Sequence, residues 1–467
     1  MIISIIVIYL VLMLAIGFWA NKFNKGMTDY ILAGRRLGLG LACFAIAATY
    51  FGGGYVIGLG EAAFKDGLVA WWFGIGGGIG LILTGFLAGK VRAMNIYTIP
   101  DFLEHRYGGR LFRPLVAILT FITFTGVLAS QILATKGVLS IVGLGSTEAT
   151  VITALVFILY SAVGGLWAAT LTDFIQLIIA AVGIIAAYVA VLLRLQDMGG
   201  FVSSIQVNLA ETAQFFFSLI GTGDWSYIIW LAIPMLLTTL AGADIYQRIL
   251  LASKNEKTAQ RACWLGGLII IVITLFPTLL GMSAHAFFPN LTEASAALPN
   301  VVNEVLSPLM TGLLMAAILA AIMSTATSLL TVGASNIAYD LVAKTIQRDQ
   351  EMDEIKLLHI SRLALVAMGV LGLIIAMYST GIIAVINTVL LLNTGGLVVP
   401  VVGGILWKRP NLKAGLAAFF TGIVGGALSI SGVQFGAIPP EVFGVLVSLI
   451  VFIIVTLATT HTRRTSV

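Results

Sequence analysis

Four hydroxyl side chains fall within five residues at Ser324, Thr325, Thr327 and Ser328. Ala321, Ser324, Thr325 and Ser328 are spaced i, i+3, i+4, i+7, so they share one face of a helix. Oxygen atoms in that arrangement are hard donors, suited to a small hard cation. Ser and Thr in membrane helices also bond back to their own backbone, which is the other reading of the same pattern. A second stretch, "AATYFGGGYVIGLG" from Ala47 to Gly60, places Gly52, Gly53 and Gly54 in the middle of an apolar run. Each glycine inside a helix costs about 1 kcal/mol relative to alanine. A helix interrupted there frees carbonyl oxygens, again hard ligands. Irregular backbone at membrane depth is tolerated only where it lines a cavity or is buried in protein. Close packing through small residues is the alternative use of the glycines.

The chain that positions these groups has 467 residues, 59% hydrophobic and 10% charged, with a net charge of +5. Its mean hydropathy is +1.06. Soluble domains carry about 25% charged residues. The composition reads as an all-α polytopic membrane protein, because the apolar segments are too long and continuous for alternating barrel strands. About thirteen spans of roughly 20 apolar residues can be marked. They cover 2–20, 38–62, 69–91, 111–142, 148–167, 169–195, 227–252, 259–287, 303–343, 357–379, 381–407, 412–432 and 440–460, and the fifth and sixth nearly abut. The first has no basic n-region and no small-residue cleavage site before Asn21, so it is not read as a signal peptide. Cys43 and Cys263 give neither a disulfide framework nor a metal pattern. There is no His-Glu-x-x-His pattern and no Gly-x-Ser-x-Gly elbow, and His105, His285, His359 and His461 lie in connections or near span ends. The chain is not read as an enzyme.

Lys and Arg alternate between connections, and cytoplasmic loops carry the excess. Lys22, Lys25, Arg35 and Arg36 follow the first span, and Lys90, Arg92, Arg106, Arg110 and Arg113 follow the third. Arg248, Lys254, Lys257 and Arg261 follow the seventh, and Lys344, Arg348, Lys356 and Arg362 the ninth. Lys408, Arg409 and Lys413 follow the eleventh, and Arg463 and Arg464 come last. The intervening connections carry only Lys65 and Arg194 near span ends, apart from Lys136. This pattern predicts an odd number of spans, with the N-terminus outside and the C-terminus in the cytoplasm.

At 1.5 Å per residue, Gly52 lies about 20 Å from the start of the second span, and Ala321 about 20 Å from Pro308. The glycines and the hydroxyls are thus expected at one depth. "LTTLAGADIYQR" in the seventh span has a similar small-residue interruption, Ala241 to Ala243. Two interrupted spans, five apart and oppositely directed, suggest an inverted repeat, and discontinuous helices of this kind form substrate and ion sites in secondary transporters.

Further residues carry a resemblance. "GGLWAATLTDFIQ" (Gly164 to Gln176) resembles the signature of the sodium:solute symporter family. "AAIMSTATS" (Ala320 to Ser328), "DIYQR" (Asp244 to Arg248) and "LWKRPNLKAG" (Leu406 to Gly415) are similar to that family too, in the same order along the chain. The resemblance implies a LeuT-type 5+5 inverted repeat over 38–407. One extra N-terminal helix would lie in 1–37 and two C-terminal helices in 408–467. It implies a main Na+ site from the carbonyls of Ala48, Phe51 and Ala321 and the hydroxyls of Ser324 and Thr325. Some members bind a second sodium, for which Asp173, Thr327 and Ser328 are present, with Ser324 shared. Asp173 is equally placed to cap the start of the sixth span.

The solute pocket is expected to be lined by Gly52, Gly53, Gly54, Tyr55, the pair Trp71 and Trp72, and Ser130, Gln131 and Thr135. Thr239 to Asp244, with Asn387 or Asn393, would close it. Aromatic faces with a few amides suit a small polar organic solute. The family's sodium/proline members carry an aspartate where this chain has Tyr50, which weakens a proline assignment. Lys136 either attracts a carboxylate or snorkels to the interface. Asp244 either meets a solute amine or pairs with Arg248, four residues on. Galactose-type, sialic-acid, monocarboxylate, pantothenate and amino-acid transport stay open. The expected function is sodium-coupled import of such a solute by a multi-pass protein of the cell membrane. The chain is read as a monomer whose partners are solute, sodium ions and lipid bilayer, with no nucleic acid. The alternative is a membrane sensor. The residues after the last span are too few for an output domain, so a sensor would need a separate signalling partner.

Overall fold

The computed structural model describes residues 2–20, 35–94, 96–139, 143, 146–209, 213–221, 225–246, 253–348, 353–379, 381–408, 411–433, 435–436, 438 and 440–464. Helix is found in each apolar stretch marked on the sequence. The principal elements are α1 (Ile2–Ala20), α2 (Leu39–Tyr50), α3 (Leu59–Asp66), α4 (Trp72–Ala93), α5 (Ile99–Tyr107), α6 (Phe112–Leu139), α7 (Ser146–Arg194) and α8 (Met198–Leu209). They continue with α9 (Trp225–Ala241), α10 (Glu256–Phe287), α11 (Ala297–Val305), α12 (Pro308–Ser335), α13 (Glu354–Tyr378), α14 (Ile382–Leu406), α15 (Leu412–Ile430) and α16 (Pro440–Arg464). Among the described residues, extended pairing is limited to two isolated bridges, Leu37 with Ser253 and Phe435 with Ile438.

Nine helical segments among the described residues are long and apolar enough to cross a membrane, and Leu39–Tyr50, Thr150–Leu159 and Trp225–Ala241 are shorter apolar helices. The count differs from about thirteen for local reasons. A π-helical turn, Gly54–Gly58, runs into α3, and a 3-10 turn, Gly67–Trp71, joins α3 to α4. The segment Gly54–Ala93 is therefore counted once. The expected separation of the fifth and sixth spans is absent: both fall within α7, one helix of 49 residues. No proline interrupts it, and the Gly164–Gly165 pair alone does not end a helix. Asp173 therefore lies inside α7 rather than at a helix start.

α12 is the centre of the molecule, with 94% of its apolar window buried. It packs against α7, α6, α1 and α13, while α10 packs along α4. The α4–α10 pair touches backbone to backbone. A Cβ on Gly78 would lie 2.6 Å from Gly267 O, and one on Gly267 2.5 Å from Gly78 O. Cys43 and Cys263 are buried free thiols.

The connections carry structure of their own. Thr98 caps α5 by accepting from Asp101 N–H at 3.1 Å, with Pro100 in the first turn. α5 is pinned by Arg113 at the start of α6. That guanidinium bonds to Asp101 (2.5 Å), to Glu104, and to Asp340 (2.8 Å) in the π-helical continuation of α12, Asn336–Ile346. Arg348 adds a second cation on Glu104 at 2.8 Å. Burial alone would raise the Glu104 carboxyl, but the bonds from Arg113 and Arg348 outweigh it and hold the group below the ordinary glutamate range.

Candidate functional site

α2 ends at Tyr50 because its next amides turn away. Phe51 N–H still reaches Ala47 O at 2.8 Å, but Phe51 itself has φ −77° and ψ 50°. Gly52 N–H then folds back to Tyr50 O at 2.7 Å, and regular turns resume with Val56 N–H to Gly52 O at 3.0 Å. Among the described residues no hydrogen bond reaches the carbonyls of Ala48 or Phe51. Buried carbonyls without donors are rare in folded proteins. The glycines let this break press against its neighbours. A Cβ on Gly52 would lie 2.4 Å from Thr325 Oγ1, and one on Gly53 would lie 2.5 Å from the Ala134 side chain. Gly53 N–H donates to Gln131 Oε1 on α6 at 2.8 Å. α9 is interrupted in the same manner. Gly242 is extended (φ −63°, ψ 116°), and Ala243–Ile245 resumes the helix.

The hydroxyls of α12 do both things their pattern allows. Thr325, Thr327 and Ser328 bond to carbonyls four residues back, Ala321, Met323 and Ser324, at 3.2, 2.8 and 2.9 Å. Some also reach across. Thr325 Oγ1 lies 3.1 Å from Thr49 O at the break in α2. Ser324 donates to the Asp173 carboxylate on α7. Thr327 accepts from Ser161 Oγ at 3.1 Å. Asp173, Ser161, Ser324, Thr325, Thr327 and Ser328 are all buried. Two oxygen-rich clusters thus meet on α12. One is formed with Thr49 O, the other with Asp173 and Ser161.

Beside the break lies a cavity of about 70 Å³. Gly54, Tyr55, Gln131, Asp244, Thr325 and Asn393 line it, from among the residues singled out on the sequence. Thr49, Phe73, Thr123, Met235, Thr238 and Ile386 line it as well and carried no sequence signal as solute contacts, and Tyr50, which bore on the solute only by weakening a proline assignment, lines it too. The remaining candidates are not among its lining residues. Trp71 and Trp72 donate their indole N–H to Ile271 O (3.0 Å) and Leu219 O (2.8 Å). Ser130 and Thr135 bond to carbonyls of their own helix, Val127 O at 2.6 Å and Gln131 O at 3.0 Å. Asn387 donates to Trp230 O at 3.1 Å. Gly52 and Gly53 face α6 and α12 rather than the cavity. Lys136 pairs with Glu293 at 2.8 Å, so its charge is engaged in the connection before α11. Arg248, the expected partner of Asp244, lies outside the described residues.

Sodium:solute symporter family is the description of the family model that matches residues 30–425. The chain is 29% identical over 428 residues to the high-affinity proline transporter PutP of Bacillus subtilis, covering 88% of each chain. It is 26% identical over 474 residues to the sodium/pantothenate symporter of Escherichia coli, covering 96% of this chain and 95% of that one. Among solved structures, a Na+-coupled sialic acid symporter in a substrate-bound outward-open state superposes with a TM-score of 0.80 at 21% identity, over 97% of this chain and 96% of that one.

Proposed function

The chain belongs to the sodium:solute symporter family, and from that premise we propose that it couples sodium entry to the import of a small polar organic solute by alternating access. It is a multi-pass membrane protein. In this reading 38–407 form the inverted-repeat core of ten spans, with the fifth and sixth spans of the chain both supplied by α7, 1–37 and 408–467 add peripheral helices, and the C-terminus is cytoplasmic. What chiefly supports it is the interruption of α2, where Thr325 reaches Thr49 O and, among the described residues, no hydrogen bond reaches the carbonyls of Ala48 or Phe51.

A sodium ion held by Ala48, Phe51, Ala321, Ser324 and Thr325 would tie α2 to α12. Hard oxygen ligands suit it, and its charge satisfies carbonyls that the broken helix leaves over. Ordering α2 also shapes the cavity wall at Gly54 and Tyr55, which line the adjacent cavity. Ion and solute then each favour the arrangement the other needs, and the coupling is reciprocal. The driving force is the sodium gradient plus about 2.3 kcal/mol per charge per 100 mV of membrane potential. Asp173, Thr327 and Ser328 supply the oxygens for a second ion. The deciding experiment is uptake of a labelled solute panel into proteoliposomes with an inward sodium or potassium gradient. Accumulation only with sodium is expected. Accumulation of a panel solute that ignores the sodium gradient would overturn the reading.

A further inference from the structure

We infer that Gln176 on α7 is a further ligand of the sodium ion held at α12, its amide oxygen joining the set of Ala48, Phe51, Ala321, Ser324 and Thr325. The inference rests on the symport reading and deepens it. Gln176 is 1% exposed, and among the described residues neither its Oε1 nor its Nε2 has a hydrogen-bond partner. Buried polar groups are nearly always paired, and an unpaired one is costly where an apolar side chain of the same shape is not. The residue lies on the inward face of its helix. Asp173, Gln176, Ala180 and Ile184 are buried, whereas Ile178 and Val182, on the other side, are exposed. α7 packs on α12, and two contacts fix how. Ser324 donates to Asp173, and a Cβ on Gly183 would lie 2.6 Å from Leu314 Cδ1. Ten residues on along α7 thus answer to ten residues back along α12, so the two helices run antiparallel in one register. Three residues on from Asp173 is Gln176, and three back from Ser324 is Ala321. At 1.5 Å per residue each step covers about 4.5 Å, so Gln176 stands level with Ala321, whose carbonyl belongs to the proposed main site. Amide oxygens of Asn and Gln are ordinary ligands for hard cations. With its oxygen on the ion, Gln176 turns its N–H end to the Asp173 carboxylate one turn back, an i, i+3 neighbour. One amide then meets both oxygen clusters, and the ion ties α7, as well as α2, to α12.

The test uses the full-length protein, purified, with sodium alone as the probe. The melting temperature is followed as sodium chloride replaces potassium chloride at constant ionic strength, with no solute present. Gln176→Leu should raise the half-saturating sodium concentration about tenfold or more, the loss of one contact to a charged group. Its melting temperature in potassium should stay at or above the parent's, because an unpaired buried amide is gone. Gln176→Glu keeps an oxygen at the same reach and should bind sodium at least as well as the parent. Thr120→Val on α6 removes another buried group that has no partner among the described residues, and should leave the sodium affinity unchanged. Unchanged sodium affinity in Gln176→Leu would overturn the inference, and so would an equal loss of affinity in Thr120→Val. If Gln176→Leu does not fold, Gln176→Glu decides, and sodium binding weaker than the parent's counts against the ligand. Uptake of the labelled solute panel by the same proteins keeps the two readings apart. Sodium-driven accumulation with the same sodium requirement in parent and Gln176→Leu leaves symport standing and removes the ligand. A parent that sodium stabilises through Gln176, yet that accumulates a panel solute whatever the sodium gradient, does the reverse.

Discussion

Thr325 has one hydroxyl and two carbonyls within reach, Thr49 O at 3.1 Å and Ala321 O at 3.2 Å. A hydroxyl donates one proton, so its oxygen keeps lone pairs for a cation while the proton serves a carbonyl. Thr325→Ala removes that oxygen without adding bulk, and so does Ser324→Ala at the neighbouring position. Loss of one charge-assisted contact is worth about 1.5–3 kcal/mol, so each variant should raise the half-saturating sodium concentration roughly tenfold or more. Thr325→Ser should stay near the parent. Uptake against sodium concentration, in membranes holding equal amounts of protein, reads this directly. A double alanine variant with unchanged sodium dependence would remove α12 from the ion site. These hydroxyls were visible in the sequence because i, i+3, i+4 spacing survives any detail of packing. Ser161 and Thr49 were not, since a lone hydroxyl in an apolar span says nothing until a neighbouring helix comes against it. Lys136 shows the same limit. Its partner Glu293 is 157 positions away in the chain numbering, and only the fold brings the two together.

At the level of elements, the breaks were legible and the joins were not. Three glycines just after α2 and Ala-Gly-Ala at the end of α9 mark interruptions, since glycine weakens a helix wherever it stands. The run-through of α7 was hidden, because two abutting apolar spans look alike whether or not a turn divides them. So were the short helices α5, α8 and α11, which lie in polar connections. The break is also the most sensitive point to bulk. Gly52→Ala would set a methyl group 2.4 Å from Thr325 Oγ1, and Gln131 Oε1 stands at 2.9 Å. Forced overpacking costs about 1–3 kcal/mol. The variant should lower the melting temperature and weaken sodium binding together, whereas Gly38→Ala, with open space around it, should do neither. The Arg113 cluster sets a second test. Arg113→Ala takes the cation from Asp101 and Asp340 and leaves Glu104 with Arg348 alone, and breaking a buried ion pair costs about 3–5 kcal/mol. Its melting temperature should fall well below that of Arg113→Lys, which keeps the charge. The cluster also carries an acid response. Glu104 has a depressed folded-state pKa, so its contribution is present above the ordinary value of about 4.3 and is lost as pH falls through the folded value. Melting curves taken downward from pH 7 should show that loss, and Glu104→Gln should show less of it.

For the whole molecule, composition alone identifies a membrane protein of many helices, while the proposed relation between its two halves rests on the paired breaks because the halves share no obvious sequence identity. Orientation is open to a direct check. With cysteines placed singly in a background lacking Cys43 and Cys263, an impermeant reagent outside intact cells should label Asn290→Cys and spare Arg110→Cys. The reverse would invert the proposed topology. Stoichiometry is the larger question, because it sets how steeply the protein can concentrate its solute. Asp173 is fully buried within α7 and bonded to Ser324, and Ser324 also belongs to the proposed main site. Ser328 Oγ lies 2.9 Å from Ser324 O, so a second ion bound by Asp173, Thr327 and Ser328 would sit one helical turn from the first. A carboxylate is what makes that spacing tolerable, since it offsets the repulsion between two cations at close range. The charge moved per solute then equals the number of sodium ions plus the solute's own charge. For a zwitterion, two ions give two charges per solute and a sodium Hill coefficient above one. Asp173→Asn keeps the shape and removes the charge, and should lower both values towards one. Current and labelled flux recorded together on the same reconstituted protein measure the ratio. A value of one for a zwitterion in the parent protein would reject the second ion and leave Asp173 as a group that positions Ser324.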